Sequence, residues 1–355
     1  MSKIKIGITQ GDINSIGYEL IIKTLSDTRA FTDIIPIIYG SPKVFAYYKK
    51  ALNSNVNSVT INSTEEAKTR NIHIINCNSE DIRVEIGKST EVAGLASYQA
   101  LEQASNDLKS GKIDILITSG VNSKNIQEAG FNFFGHTNYL SEQFNEPKSL
   151  ILMLNDIVKI GLVTENIPLC EVSKTITKEL ILEKLNILNE SLKNDFLIRK
   201  PKIAVLSLNP CVEISGIMGE EEINKIIPAI DEAKAKDILA FGPYSADIFF
   251  GALEFKKFDA VLAMYYDQGI APFKVLSFET GVNYSAGLPI VRTAPAFESL
   301  YSLAGKGIAN EISFRNAIYT AIEIFENRKL QRNLENNKMN LSDLEDVNEI
   351  NKIDE

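Results

Sequence analysis

Tryptophan is absent from this chain of 355 residues, and histidine nearly so: only His73 and His136 occur. Two imidazoles cannot make a three-histidine metal site within one chain. The three cysteines, Cys77, Cys170 and Cys211, are odd in number and far apart. That excludes a secreted disulfide framework and a zinc-finger pair, and makes a reducing cytoplasm the expected setting. No run of about 18 apolar residues occurs, so no membrane span is expected, and the opening MSKIKIGITQGD lacks the apolar core of a signal peptide. Positive charge is not in excess: 37 Lys and Arg face 46 Asp and Glu, a formal net charge of −9. A nucleic-acid partner needs a basic face to neutralise phosphates, so none is expected. Motifs are missing too. No Gly-x-Gly-x-x-Gly follows the first apolar run, and neither a P-loop nor a Gly-x-Ser-x-Gly elbow is present, which argues against a standard Rossmann cofactor site.

What is present alternates. Lys3 to Thr9, Ile34 to Tyr39, Ile72 to Asn76 and Ile113 to Thr118 read as strands, the second as an edge strand because of Pro36. Between them, helices are expected from Tyr18 to Leu25, from Ser41-Pro42 to Ala51, and from Ser89 or Thr90 to Ser110. In the third, Leu95, Tyr98, Leu101, Ala104, Ser105 and Leu108 form one stripe. The second half repeats the theme. Two strands, 150–154 and 158–163, flank an Asn155-Asp156 turn; strands follow at 203–208 and 260–264, and helices at 177–192, 220–236 (kinked or split by Pro228) and 313–326. This is an α/β pattern with a largely parallel sheet, and the length suggests two lobes.

Candidate chemistry sits beyond strand ends, where such sheets place ligands. Gly135-His136-Thr137 at a helix start offers backbone N–H groups, an imidazole and a hydroxyl, which suits phosphate; the plain alternative is a locally satisfied histidine. In Tyr265-Tyr266-Asp267-Gln268-Gly269, Asp267 suits proton transfer or orienting an amine, and Lys274 suits a phosphate or carboxylate; the alternative is a solvated turn. Arg292 lies between apolar residues and needs a partner, an anion or a structural acid. Asp247 follows a Gly-Pro-Tyr-Ser turn at a helix start and suits a first-turn carboxylate.

Seven segments in order, ITQGDINSIGYE, FFGHTNYL, LVTENIPL, LSLNP, FGPYSADIFF, DAVLAMYYDQGIAPFK and VNYSAGLPIVRT, resemble the 4-hydroxythreonine-4-phosphate dehydrogenase family of vitamin B6 biosynthesis. The resemblance implies a two-lobed fold like isocitrate and isopropylmalate dehydrogenases, with a central cleft. It also implies a homodimer, NAD as cofactor, and a divalent metal holding the substrate. The reaction it implies is oxidation of the C3 hydroxyl of a small phosphorylated amino acid, followed by loss of CO2. His136, Thr137, Lys274, Asn283 and Arg292 match the family's substrate and phosphate contacts, and Asp247 and Asp267 its acidic positions. The expected lobes are 1–130 with 260–330, and 131–259 carrying dimer and substrate contacts, with 331–355 an acidic, disordered tail.

The departures concern the metal. Asn166, Cys211 and Tyr266 stand where the family has three metal-binding histidines. Amide and phenol are weak metal ligands at neutral pH, so the family's Lewis-acid assistance is in question. Ser15 replaces a usual Gly, Ser123 a usual Lys with Lys124 beside it, and the stretch ending Phe297-Glu298 lacks a His-Gly pair. Two functions therefore stand: the family's NAD-dependent dehydrogenase, or a catalytically impaired member that binds a phosphorylated ligand without metal-dependent turnover.

Overall fold

A computed structural model gives the structure over residues 3–27, 34–78, 82–210, 218–297 and 299–337. The first half forms β1 (Ile4–Thr9), α1 (Gly17–Leu25), β2 (Ile34–Gly40), α2 (Pro42–Ala51), β3 (Ser58–Ile61), β4 (Ile72–Asn76), α3 (Glu91–Lys109), β5 (Ile115–Thr118), α4 (Ser123–Glu128) and α5 (His136–Gln143). The second half forms β6 (Leu150–Leu154), β7 (Lys159–Leu162), α6 (Leu169–Thr175), α7 (Lys178–Asn194), β8 (Lys202–Leu206), α8 (Ile227–Ala235), β9 (Leu239–Tyr244), α9 (Ala246–Gly251), β10 (Ala260–Ala263), α10 (Tyr266–Ser277), β11 (Val282–Ala286), β12 (Val291–Pro295) and α11 (Ile312–Asn336). The helix starts follow their local chemistry. Ser41, Thr90 and Thr177 accept from the backbone N–H groups of Val44, Ala93 and Leu180.

The 12 strands among the described residues join one mixed sheet in the order β3-β4-β2-β1-β5-β12-β11-β6-β7-β10-β8-β9. The block from β3 to β12 is parallel, and so is the block from β7 to β9. Between them, β11 and β6 pair antiparallel with each other and with their outer neighbours. The α/β class is as expected.

Several particulars differ from the sequence reading. β2 lies inside the sheet, between β1 and β4, despite Pro36. All seven of its residues are buried; two-sided burial outweighs the one ladder bond a proline forgoes. β10 pairs with β7 and β8, so the strand expected to open the return to the first lobe belongs to the far block. The chain comes back through β11 to β12. α11 continues through residues 331–336, the start of the expected tail, because that stretch contains no Gly or Pro to stop it. Residues 338–355 lie outside the described ones. On α3 the buried face is richer in small residues than the expected stripe: Gly94, Ala96, Ser97 and Ala100 are buried while Leu95 is exposed. Pro228 does not interrupt its helix, which runs on through it; the irregularity is a π-helical turn, Glu222–Ile226, that leads directly into α8.

The two faces of the sheet are packed differently, and this positions the site. One face carries a continuous core through Ile6, Ile38, Ile115, Leu152, Tyr284, Val205 and Leu262. The alternate residues form two separate cores on the other face. Ile37, Tyr39 and Leu116 belong to one, and Ile160, Leu206 and Val261 to the other. Between these two cores lie the strands of the antiparallel seam.

Candidate functional site

The gap between those cores is a cavity of about 500 Å³. Strand alternation fills its floor. Val291, Val282, Tyr284, Leu150 and Leu152 face the continuous core, so Arg292 on β12, Asn283 and Ser285 on β11, and Ile151 and Met153 on β6 face the gap. Register brings the polar ones together: Asn283 sits opposite Ala294, and Arg292 opposite Leu116 of β5.

Arg292 is 3% exposed. Its Nε donates to Thr118 Oγ1 at 3.0 Å, its Nη1 to Asn283 Oδ1 at 3.1 Å and Ser285 Oγ at 3.2 Å, and its Nη2 to Thr118 Oγ1 and to His136 Nδ1, the latter at 3.0 Å. None of these partners is an acid, and among the described residues no carboxylate pairs with it. Burial pushes its pKa down to about 9. A buried guanidinium held by neutral acceptors retains its charge for a ligand.

α5 supplies the adjoining wall. Gly135, its N-cap, has no capping side chain, and Gly135, His136, Thr137 and Asn138 line the cavity beside the helix's open N–H groups. Arginine is always a donor, so its bond to His136 Nδ1 fixes the imidazole proton on Nε2. Burial, with Arg292's charge beside it, holds the His136 pKa near about 3. The imidazole is therefore neutral and a donor. Thr137 Oγ1 lies 2.8 Å from Ser285 Oγ.

The segment expected to be a turn after the 260–264 strand is helical, and α10 forms the third wall. Tyr266, Ile270 and Lys274, spaced i, i+4 and i+8, all line the cavity. Lys274 Nζ donates to the Ala296 carbonyl and lies 5.8 Å from the Phe278 ring centroid. Gln268 ties the start of the helix to the ends of two strands: it accepts from Met264 N–H, just past β10, at 2.7 Å and donates to Ser207 O, just past β8, at 2.6 Å.

The structure thus brings His136, Thr137, Lys274, Asn283 and Arg292 to one cavity. It does not bring Asp247 or Asp267 there: both are exposed, and neither lines it. The reason for Asp267 is helical phase, one residue past Tyr266. Among the described lining residues, Lys274 and Arg292 are the charged ones, and both are cations. Thr118 and Ser285 were missed by sequence reading. Ser285's position two residues from Asn283 on a strand was the available signal.

The metal positions fit a divalent cation poorly. Asn166 and Tyr266 line the cavity, but the Asn166 amide donates to Phe134 O at 2.8 Å, and Tyr266 offers a phenol. Cys211 lies outside the described residues, as does Glu298. Among the described residues, no group of three His, Cys, Asp or Glu side chains is placed to hold a metal. Ser15 Oγ accepts from Leu300 N–H at 2.9 Å, a structural use, and Ser123 lines the cavity rim while Lys124 pairs outward with Glu128 at 3.9 Å. Phe297 lines the cavity as well.

Residues 32–321 match the family described as pyridoxal phosphate biosynthetic protein PdxA. A 4-hydroxythreonine-4-phosphate dehydrogenase of Bacteroides thetaiotaomicron is 49% identical over 332 residues, 93% of this chain and 91% of the relative. The crystal structure of a 4-hydroxythreonine-4-phosphate dehydrogenase from Klebsiella pneumoniae superposes with a TM-score of 0.77 at 26% identity, covering 91% of this chain and all (100%) of that one. An isocitrate dehydrogenase from Methylococcus capsulatus shares the fold at a TM-score of 0.51 and 11% identity, over 94% of this chain and 89% of that one.

Proposed function

Because this chain belongs to the PdxA family of pyridoxal phosphate biosynthetic proteins, we propose that it is a dehydrogenase. In this reading it oxidises 4-hydroxythreonine 4-phosphate with NAD, and the keto acid formed loses CO2. The observation that carries the reading is the lining of the cavity: two cations, no carboxylate among the described residues, and donors converging from three elements. That arrangement suits an anionic, phosphorylated ligand. Arg292, the His136 Nε2–H, Thr137 and the first-turn N–H groups of α5 hold the phosphate. Lys274, on the opposite wall, faces the negative charge that develops as the hydroxyl is oxidised. NAD, when bound, supplies the hydride acceptor. The apolar side chains of Phe131, Phe133, Ile151, Met153 and Ile270 offer a flat ring a surface and exclude water. No step is assigned to a metal, because the described donors do not suit one.

A homodimer is part of the proposal. Large apolar side chains stand exposed on and beside α9 and α10, among them Ile248, Val275 and Phe278. The cytoplasm is the proposed setting: Cys77 and Cys170 are free thiols, and no helix among the described residues is long and apolar enough to cross a membrane. A second reading is favoured by the Asn166 and Tyr266 chemistry: a member that binds the phosphorylated ligand but lacks metal-dependent turnover.

One experiment separates the two. Purified protein is incubated with 4-hydroxythreonine 4-phosphate, NAD and Mg²⁺, Mn²⁺ or Zn²⁺ while NADH is followed. NADH formation with stoichiometric bound metal overturns the second reading. Silence that is relieved by Asn166→His, Cys211→His and Tyr266→His together overturns native turnover.

A further inference from the structure

We propose that Ser285 is a positioning residue that, with Arg292, sets which way the hydroxyl of Thr137 donates, so that the anion site presents only donors to its ligand. The inference deepens the anion-site reading above and rests on it. Arg292 Nη1 donates to Ser285 Oγ at 3.2 Å, and a guanidinium cannot accept in return. Ser285 is fully buried, so its own proton needs an acceptor in the protein. Thr137 Oγ1, at 2.8 Å, is the one in reach. Thr137 then receives that proton's bond and has its own proton left for an acceptor in the cavity it lines. The same guanidinium, through Nη2, forces His136 to keep its proton on Nε2. One buried arginine thus orients two neighbours, one directly and one through Ser285. Thr118 steadies the arginine by accepting from Nε and Nη2.

A site made only of donors takes a ligand group made only of acceptors, such as an ionised phosphate, and discriminates against groups that carry their own proton. No carboxylate among the described residues competes for the same donors.

The test measures inorganic phosphate binding by calorimetry for the unaltered protein, Ser285→Ala, Ser285→Thr, Thr137→Val and the Ser285→Ala/Thr137→Val pair. Ser285→Ala should weaken binding about tenfold, the lower range for one hydrogen bond to a charged acceptor. Ser285→Thr, which keeps the hydroxyl, should restore binding to within about twofold of the unaltered protein. The double variant should lose no more than Thr137→Val alone, because both act on one bond. Additive losses, or Ser285→Thr as weak as Ser285→Ala, overturn the relay. If Thr137→Val fails to fold, the Ser285 pair decides alone: unchanged affinity in Ser285→Ala refutes the proposal. No phosphate binding by the unaltered protein would instead refute the anion-site reading beneath it.

Discussion

Replacing Arg292 with methionine should change the stability of the free protein by no more than about 2 kcal/mol, whereas the same change at Arg328 should cost about 3–5 kcal/mol. Arg292 is buried and Arg328 half-buried, its side chain 15% exposed, and both are well hydrogen-bonded. They differ in having a carboxylate. Arg328 Nε lies 2.6 Å from Asp195 Oδ1, and its other nitrogens reach Tyr284 OH at 2.7 Å and the carbonyls of Leu288 and Ile290 at 3.0 and 3.1 Å. Removing it leaves Asp195, itself nearly inaccessible, as an uncompensated buried charge. At Arg292 the balance is different. Depression of its pKa from 12.5 to about 9 corresponds to a desolvation cost of roughly 5 kcal/mol. Against that stand hydrogen bonds to four residues, Thr118, Asn283, Ser285 and His136, each worth roughly 1 kcal/mol net. The two nearly cancel, so the methionine variant should be about as stable as the parent. Urea unfolding with and without phosphate tests this. Phosphate at a hundred times its Kd should add about 2.7 kcal/mol to the unaltered protein and nothing to Arg292→Met. A loss at position 292 as large as that at 328 would mean that Arg292 is a structural strut, and the reasoning would fail.

The scarcity of histidine makes a second test simple, since a spectrum contains only two imidazoles, those of His73 and His136. His136 should remain neutral at pH 5, because its folded pKa is held near 3 against an ordinary 6.5; nitrogen NMR showing it titrate near 6.5 would refute the burial and tautomer assigned to it. Because the unfolded chain takes up that proton first, the stability His136 contributes is full above pH 6.5 and falls as the pH drops toward 3. His136→Gln should flatten that part of the stability–pH curve. Gly94→Ala should cost about 1–3 kcal/mol, because a methyl there meets the Asn125 carbonyl where α3 packs on α4; unchanged thermal unfolding would show that the helices can part. Ser41→Ala should lower stability by about 1 kcal/mol through loss of the α2 cap, and no change in urea midpoint would rule that cap out as a stabilising contact.

Local elements were legible because their causes are local. Caps at Ser41 and Thr90 and the Asn155 turn all follow from a residue and its next few neighbours. Errors arose where burial overrode local preference. Pro36 suggested an edge, yet β2 is interior because both of its faces are apolar. Leu95 fits a helical stripe, but small residues let α3 approach its neighbours more closely on another face. Asp267 looked like a site residue in a turn, and helical phase in α10 carries it away from the cavity.

By itself the sequence determined the α/β class and the family, and it nominated His136, Thr137, Lys274, Asn283 and Arg292, since each depends on residue identity at fixed spacing. It also limited the chain to two imidazoles, His73 and His136. Only the tertiary structure decided that those five residues share one cavity. They come from β11, β12, α5 and α10, far apart in the chain, and strand register, a non-local quantity, sets them face to face. It alone showed that Arg292 is buried without an acid among the described residues, and that Thr118 and Ser285 are the hydroxyls holding it. Ser285's place two residues from Asn283 puts both on one face of β11 but does not say what the hydroxyl does. Its meaning comes from the guanidinium that pairing across the sheet places beside it.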